Sequence, residues 1–320
     1  MNQSGGKTCP ICDNALVSSG PEVTVNEIFS LWQPVSFTQE TIAEHAAQSV
    51  STRLYTCGKC NFGIFLPQII GTPGFYTELQ METSGSYYVD DKWDFEEALK
   101  DARTAGSIVE VGCGPGVFLE RASHCVQQTI GIEYNEQALN TARRKGLRVF
   151  NHKDDLSTLK GQFDIAFSFH VLEHVADPLA FVEAMLLWIK PGGKIGISVP
   201  NMDGPLKYVD PCVSNMPPHH ATRWKLDTFQ ELSNKFNLTI ERVEYEPLVA
   251  RDHYYYSLHW VRHCFPGDFL PRPLLSILQR IVSWGFDRMF QILAKFNKKE
   301  LGLLKGQSVY VLLRSKKGTE

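Results

Sequence analysis

The sequence predicts an α/β protein built on a parallel sheet with helices on both faces. Three observations predict it. From Ser107 onward, apolar runs of strand length alternate with helical patterns. The first of these runs ends in a glycine-rich turn, Gly112-Cys113-Gly114-Pro115-Gly116. Ahead of it, Cys9/Cys12 and Cys57/Cys60 form Cys-x-x-Cys pairs in a stretch with few periodic segments. The expected organisation is a small cysteine-bearing module at 1–70, a connector with helices at 71–104, and the α/β domain at 105–320. A helical lid at 251–305 is expected as an insertion before the last strand.

The elements follow in order. The connector is rich in aromatics and turns, with Tyr76 and Tyr88 as residues that can face a site, and helical spacing from Asp91 to Arg103 puts Phe95, Ala98 and Leu99 on one face. Ser107–Val111 reads as the first strand and Val117–Ser123 as the helix after the glycine turn. Gln128–Glu133 is the second strand, followed by a helix at Glu136–Lys145 that Gly146 stops. Leu147–Asn151 and the strongly apolar Phe163–Phe169 are the third and fourth strands. Glu173 and His174 read as the opening of a helix rather than as catalytic groups. Pro178–Ile189 is helical, with Pro191-Gly192-Gly193 as its stop. Lys194–Val199 is the fifth strand, and Ser308–Leu313 the last.

Composition narrows the function classes. Of 320 residues, 43% are hydrophobic and 21% charged, which suits a globular chain with a sizeable core. The net charge of −3 disfavours nucleic acid as the main partner. The polar, glycine-rich start from Met1 to Lys7 does not read as a secretory signal, and no apolar run is long enough to span a bilayer. Of the eight cysteines, four are scattered (Cys113, Cys125, Cys212, Cys264) and four are paired at a spacing that suits metal ligation better than disulfides. A reducing, cytoplasmic setting is therefore expected.

In the segment Val109-Glu110-Val111-Gly112-Cys113-Gly114-Pro115-Gly116, a strand enters a turn that opens a helix, and glycines let backbone approach a ligand closely. Val117 stands where the dinucleotide fingerprint has its third glycine. No Gly-Lys-Ser/Thr follows, which excludes a Walker-type phosphate loop. Glu110 would repel a pyrophosphate and attract an ammonium or sulfonium, both of which S-adenosylmethionine carries. Glu133, in Gly131-Ile132-Glu133-Tyr134, sits about 20 residues on, where a carboxylate accepts hydrogen bonds from ribose hydroxyls. Asp154 and Asp155 follow the third strand, within reach of an adenine amino group.

That glycine segment, Glu133, Phe163-Asp164-Ile165-Ala166-Phe167, His170-Val171-Leu172-Glu173-His174-Val175 and Lys190-Pro191-Gly192-Gly193, in this order, resemble class I S-adenosylmethionine-dependent methyltransferases. The resemblance covers roughly 71–250. It implies a Rossmann-like seven-stranded sheet whose last strand is antiparallel. It implies that Gly112, Cys113, Gly114 and Gly116 line the methionine end of the cofactor, that Glu133-Tyr134 hold the ribose side, that Asp154 or Asp155 faces adenine, and that Phe169-His170 close over the ligand. A looser resemblance links Cys9, Cys12, Cys57 and Cys60 to methyltransferases of bacterial sugar and polysaccharide pathways that carry an N-terminal zinc module. Four thiolates leave no open coordination position, so the zinc would be structural. Helices are expected between the pairs, around Val25–Gln33 and Thr38–Val50.

The acceptor side is expected in the loop Pro217-Pro218-His219-His220-Ala221-Thr222-Arg223-Trp224, beyond the carboxyl end of the fifth strand. Methyl transfer to oxygen or carbon needs an aligned and often deprotonated nucleophile, and imidazole suits that task near neutral pH. His220 or His219 is the expected base. The Glu-His element of the sugar enzymes lacks its carboxylate in this loop. The expected acceptor is a small molecule, a sugar or a glycan precursor. The basic, amphipathic run within 270–296 points to a helical lid or to peripheral contact with a membrane surface. Two competing readings are a cofactor-fold assembly protein acting through its zinc module, and an enzyme of RNA or protein.

Overall fold

A computed structural model describes residues 7–33, 35–82, 92–209, 211–248, 250–264, 272–296 and 305–316. Tyr88 lies outside them. The chain opens with β1 (Leu16–Thr24), α1 (Val25–Ser30), α2 (Gln39–Gln48), β2 (Ser51–Cys57) and β3 (Gly63–Leu66). Thr24 and Glu27 form a reciprocal cap at the start of α1, and the Thr38 hydroxyl caps α2, so local polar chemistry fixes both helix starts in the expected inter-cysteine insertion. Next come α3 (Pro73–Glu82), α4 (Trp93–Ala102), β4 (Ser107–Val111), α5 (Val117–Ala122), β5 (Gln128–Glu133), α6 (Glu136–Arg144), β6 (Val149–Asn151) and β7 (Phe163–Phe169). The chain continues through α7 (Pro178–Trp188), β8 (Ile189–Pro200), β9 (Thr222–Arg223), α8 (Leu226–Lys235), β10 (Leu238–Pro247), α9 (Ala250–Cys264), α10 (Arg272–Phe296) and β11 (Lys305–Ser315).

These strands form a seven-stranded sheet in the order β10-β11-β8-β7-β4-β5-β6. The run from β8 to β6 is parallel. Strand β11 is antiparallel to its neighbours. Arg314 donates to Gly192 O of β8, whereas Tyr310 sits against Gly196, so one strand rises as the other falls. On its other side Lys316 N donates to Asn237 O, and Arg314 meets Glu241 further along β10. The architecture is thus the expected Rossmann-like methyltransferase fold, with α9 and α10 preceding the last strand. Its chain reversal lies between β4 and β7, where open α/β sheets bind ligands at the carboxyl ends of their strands.

A second sheet has the order β1-β2-β3-β9, with antiparallel pairs throughout. Its last strand is remote in sequence. Gly63 pairs with Arg223 and Ile64 with Thr222, directly after the paired histidines.

The chain divides into two compact units. The first, 1–199, 213–244 and 310–320, holds the cysteine-bearing sheet and most of the seven-stranded one. Its core is aromatic where β7 meets α4 and α5. Phe95, Phe118, Phe167 and Phe169 pack with ring centroids 4.7–5.9 Å apart. The second unit, 200–212 and 245–309, contains α9 and α10 packed on each other.

Two local expectations are corrected. Glu173 and His174 do not open a helix: α7 starts at Pro178, capped by the Asp177 carboxylate, and the two residues lie in the preceding turn. The Pro191-Gly192-Gly193 stop falls inside β8, which begins at Ile189 as soon as α7 ends. Gly192 there takes a φ of +74°, which lets the strand bend without a side-chain clash.

Candidate active site

The site begins at the tip of β4. Gly112 and Gly116 both have φ of +78°, a region open to glycine at little cost. A Cβ on Gly112 would stand 2.4 Å from Val171 Cγ2, and one on Gly116 would stand 2.3 Å from Leu147 Cδ1. The turn is therefore closed against α6 on one side and against the 170–174 loop on the other. Any ligand held by the turn lies beside that loop.

Glu133 ends β5 facing the same turn. Its Oε2 accepts from Gly114 N at 2.6 Å, and its Oε1 accepts from Tyr134 N and Asn135 N, each at 2.7 Å. The backbone thus fixes the carboxylate while leaving acceptor capacity on Oε2. Glu110 is fully buried, and its Oε2 has no hydrogen-bond partner among the described residues. Burial, and then the neighbouring Glu133, push its carboxyl well above the usual range. Asp94, from the first turn of α4, is a third buried carboxylate here.

The other expected cofactor residues divide by where their side chains point. The Cys113 thiol packs among Leu119, Leu139 and Val149, so only its backbone belongs to the turn. The ring of Phe169 does not close over the crevice. Strand alternation places it on the face shared with Ile165 and Phe167, inside the aromatic core. Tyr134 is exposed, with its ring stacked on His152 at 4.4 Å. Asp154 Oδ2 accepts from Asn151 N at 2.8 Å, and Asp155 Oδ1 accepts from Ser157 N at 3.0 Å, so both exposed carboxylates are partly engaged by their own loop.

His170 takes a left-handed backbone, φ +53°, at a cost of about 1–2 kcal/mol. Its Nε2 lies 3.0 Å from Asp94 Oδ2 and its Nδ1 3.4 Å from Glu173 Oε1. Burial works against protonation of this ring, but Asp94 and then Glu173 outweigh it and lift the pKa to about 9. Burial likewise tends to raise Asp94, yet His170 holds that carboxyl below its ordinary value.

Beyond His170 the structure brings together three more imidazoles, those of His174, His219 and His220. Their ring centroids are 4.4–4.7 Å apart. Glu173 sits against them, almost fully buried, with its Oε1 3.8 Å from His220 Nε2 and 4.0 Å from His174 Nε2. Neither of its oxygens has a hydrogen-bond partner among the described residues. The carboxylate that the His219-His220 loop lacks is thus supplied by another loop. Tyr76 reaches the same cluster, its hydroxyl 3.1 Å from His174 Nδ1. Burial, followed by the neighbouring His174, pushes His219 down to about 3; burial and its neighbours lower His220 as well. Both rings are therefore neutral near pH 7, with a lone pair available.

The four paired cysteines also converge. Cys9 and Cys60 sulfurs are 3.6 Å apart, those of Cys12 and Cys57 3.4 Å, and all four lie within 4.8 Å of one another. Lys59 N points at Cys57 Sγ from 3.4 Å. Four sulfurs at this spacing, with an amide directed at one of them, fit a tetrahedral metal site.

A glycine turn with a carboxylate at the tip of the adjacent strand, on this sheet order, defines the S-adenosylmethionine-binding class. Residues 87–243 match the family model described as a methyltransferase domain, and this part of the chain is a class I S-adenosylmethionine-dependent methyltransferase domain. Among curated proteins it is similar to the ubiquinone biosynthesis O-methyltransferase of Idiomarina loihiensis, with 35% identity over 115 residues, 33% of this chain and 47% of that one. The protein of that name from Methylococcus capsulatus is 35% identical over 101 residues, 29% of this chain and 43% of the relative. The chain thus spans less than half the length of either relative. Of solved structures, a methyltransferase from Bacillus halodurans aligns with TM-score 0.46 at 14% identity, over 71% of this chain and 100% of that one.

Glu110 provides a test of the crevice. Its folded-state pKa is raised, so the native state holds a proton that the unfolded chain has lost above about pH 4.5. Stability therefore falls as pH rises from there, with a limiting slope of about 1.4 kcal/mol per pH unit. Glu110→Gln removes that term. Thermal melts of the ligand-free protein between pH 5 and 8 are expected to show a shallower decline for the variant, alongside weaker S-adenosylmethionine binding. Parallel declines would show that Glu110 does not titrate in this way.

Proposed function

We propose that the chain transfers the methyl group of S-adenosylmethionine to a hydroxyl oxygen of a small molecule, with the histidine cluster taking the acceptor's proton. The observation that carries this reading is the Val171 contact with Gly112, because it sets the cofactor turn and the loop bearing Glu173 side by side. In this arrangement Gly112, Gly114, Gly116 and the Cys113 backbone line the methionine end, and Glu110 favours the cationic ligand by giving up its proton when the cation arrives. Glu133 accepts from the ribose, while Tyr134 and one of Asp154 or Asp155 flank the adenine. His170 sits between the two halves of the site. His220, with His219 stacked on it and Glu173 beside it, is the base. The neutral imidazole keeps its lone pair for the acceptor's proton, and Glu173 beside it offsets part of the burial that lowers its basicity by stabilising the imidazolium that forms.

The names of the relatives favour oxygen over carbon as the acceptor atom, and they do not support the sugar or glycan acceptor implied by the looser resemblance. We further infer that the four cysteines hold one structural zinc. Their unpaired thiols also fit a reducing compartment such as the cytoplasm. No helix among the described residues is long and apolar enough to cross a membrane. However, α10 exposes Leu274, Ile277, Ile281, Trp284 and Ile292 at helical spacing, with Arg280 and Arg288 also exposed. Such a face supports peripheral contact of the 270–296 segment with an anionic membrane surface.

Four measurements check these assignments. Glu133→Ala is expected to weaken S-adenosylmethionine binding by about 10–100-fold in calorimetry, the loss of charge-assisted hydrogen bonds. His220→Ala is expected to lower kcat by about 10²–10⁴-fold with cofactor affinity nearly unchanged; transfer surviving in the His219/His220 double variant removes the base assignment. Cys57→Ser is expected to cost the protein its zinc, lower its melting temperature and slow transfer, since β9 pairs with the module's sheet; full zinc content by elemental analysis would refute the ligand set. Vesicles of anionic lipid are expected to sediment with the protein where neutral ones do not, and equal recovery in the supernatant with both sinks the membrane contact.

A further inference from the structure

The histidine cluster has the construction of a metal site, which nothing in the methyl-transfer reading requires. One ring nitrogen from each of His174, His219 and His220 lies within 4.8 Å of the others. The opposite side of every ring is anchored to an oxygen. His174 Nδ1 donates to the carbonyl of His219, His219 Nδ1 to the carbonyl of Ser214 at 2.8 Å, and His220 Nδ1 to Asn215 Oδ1 at 3.1 Å. Carbonyl acceptors fix the tautomer: the proton stays on Nδ1 and the lone pair on Nε2. This outer-shell pattern orients metal-binding histidines, whose second N–H is held by a carbonyl or carboxylate. Glu173 adds the anion. It is 1% exposed, neither oxygen is hydrogen-bonded among the described residues, and Oε1 faces two of the Nε2 atoms at 3.8 and 4.0 Å. Ligand atoms on a tetrahedral zinc ion stand about 3.4 Å apart, so contraction of the three imidazoles by roughly 1–1.5 Å would seat one, with the Glu173 side chain turning in from the His174 and His220 side as the fourth ligand.

We propose that His174, His219, His220 and Glu173 bind a divalent transition ion, zinc or a chemical equivalent, and that the ion inhibits the enzyme reversibly. Four protein ligands leave no open coordination position, so the ion offers the acceptor nothing. Instead it occupies the lone pair on His220 that removal of the acceptor's proton requires. Metal binding stands on the geometry alone. Only its inhibitory consequence rests on the proposed function.

The test uses the full chain purified with zinc on its cysteines and titrated with cobalt(II). Elemental analysis is expected to show a second ion per chain, and the visible spectrum a tetrahedral site without added thiolate charge-transfer bands. His219→Gln is expected to abolish the second ion while keeping the first. The isosteric Glu173→Gln, which keeps the fold's shape, is expected to weaken it by about tenfold or more. Added zinc is expected to stop methyl transfer, with activity returning on chelation and cofactor affinity unchanged in calorimetry. One ion per wild-type chain, or a second ion that both variants retain, overturns the site. A second ion that leaves turnover untouched overturns the inhibition. If no hydroxyl acceptor is ever methylated but the second ion binds and the variants lose it, the function fails and the metal site stands.

Discussion

The burial of Glu173 is the constraint around which the site is arranged. Its main-chain carbonyl accepts from Ala221 N and Thr222 N, at 2.9 and 3.1 Å, and so ties the 170–174 loop to the segment that follows the paired histidines. Its side chain enters the protein with no hydrogen bond among the described residues, and an isolated buried carboxylate is expensive. Three imidazoles surround it within 4.0 Å, and one of them, His170, is held protonated by Asp94 on its far side. The Asp94–His170–Glu173 row therefore sets one cation between two buried acids. Removing His170 would leave both carboxyl groups without their cation.

The cysteine module is fastened to this arrangement. Strand β9 completes its sheet, the Thr228 hydroxyl donates to the carbonyl of Cys60 at 2.8 Å, and Lys59 pairs with Glu231 at 2.9 Å. Trp224, fully buried, packs on Phe62 and donates its indole N–H to Thr222. The exposed ion pair contributes little by itself. Sheet pairing, the buried hydroxyl and the tryptophan do most of the anchoring. A site that holds the four sulfurs in place thereby fixes the β3 edge to which β9 is paired, and β9 begins two residues after His220. The module thereby braces the His219-His220 loop although its cysteines take no part in the proposed chemistry.

How much of this was legible in the sequence depended on the range of the interaction. The glycine turn, Glu133 and strands β4, β5 and β7 announce themselves locally, through φ requirements and apolar runs. The convergence of the cysteine pairs followed from spacing. Phe169 reads as a lid because its neighbour His170 faces the site, whereas the two-residue period of β7 commits the phenylalanine to the core. Glu173 reads as a helix start in the sequence, since nothing nearby in the chain says that His220 will lie 3.8 Å from it. Asp94 was hidden the same way among the aromatics of α4. β9, only two residues long, has no periodic signal at all and exists because β3 offers it an edge.

The charge distribution of the pocket has a consequence for turnover. Around the glycine turn stand three buried acids, of which Asp94 is paired with His170, Glu110 holds a proton until a cation arrives, and Glu133 faces the turn; around the proposed acceptor loop stand His219 and His220, held neutral by burial. On the proposed reaction, methyl transfer removes the sulfonium charge from the acidic half and releases a proton into the neutral half. The acidic half then holds a ligand with one positive charge fewer, and its attraction for the demethylated cofactor is weaker than for the substrate form. The other half has gained an imidazolium beside Glu173, a charge that disappears only when the proton reaches solvent. On that reaction, electrostatics favours the cationic cofactor on entry and loosens it after transfer, with His170 and its partner Asp94 standing between the two halves.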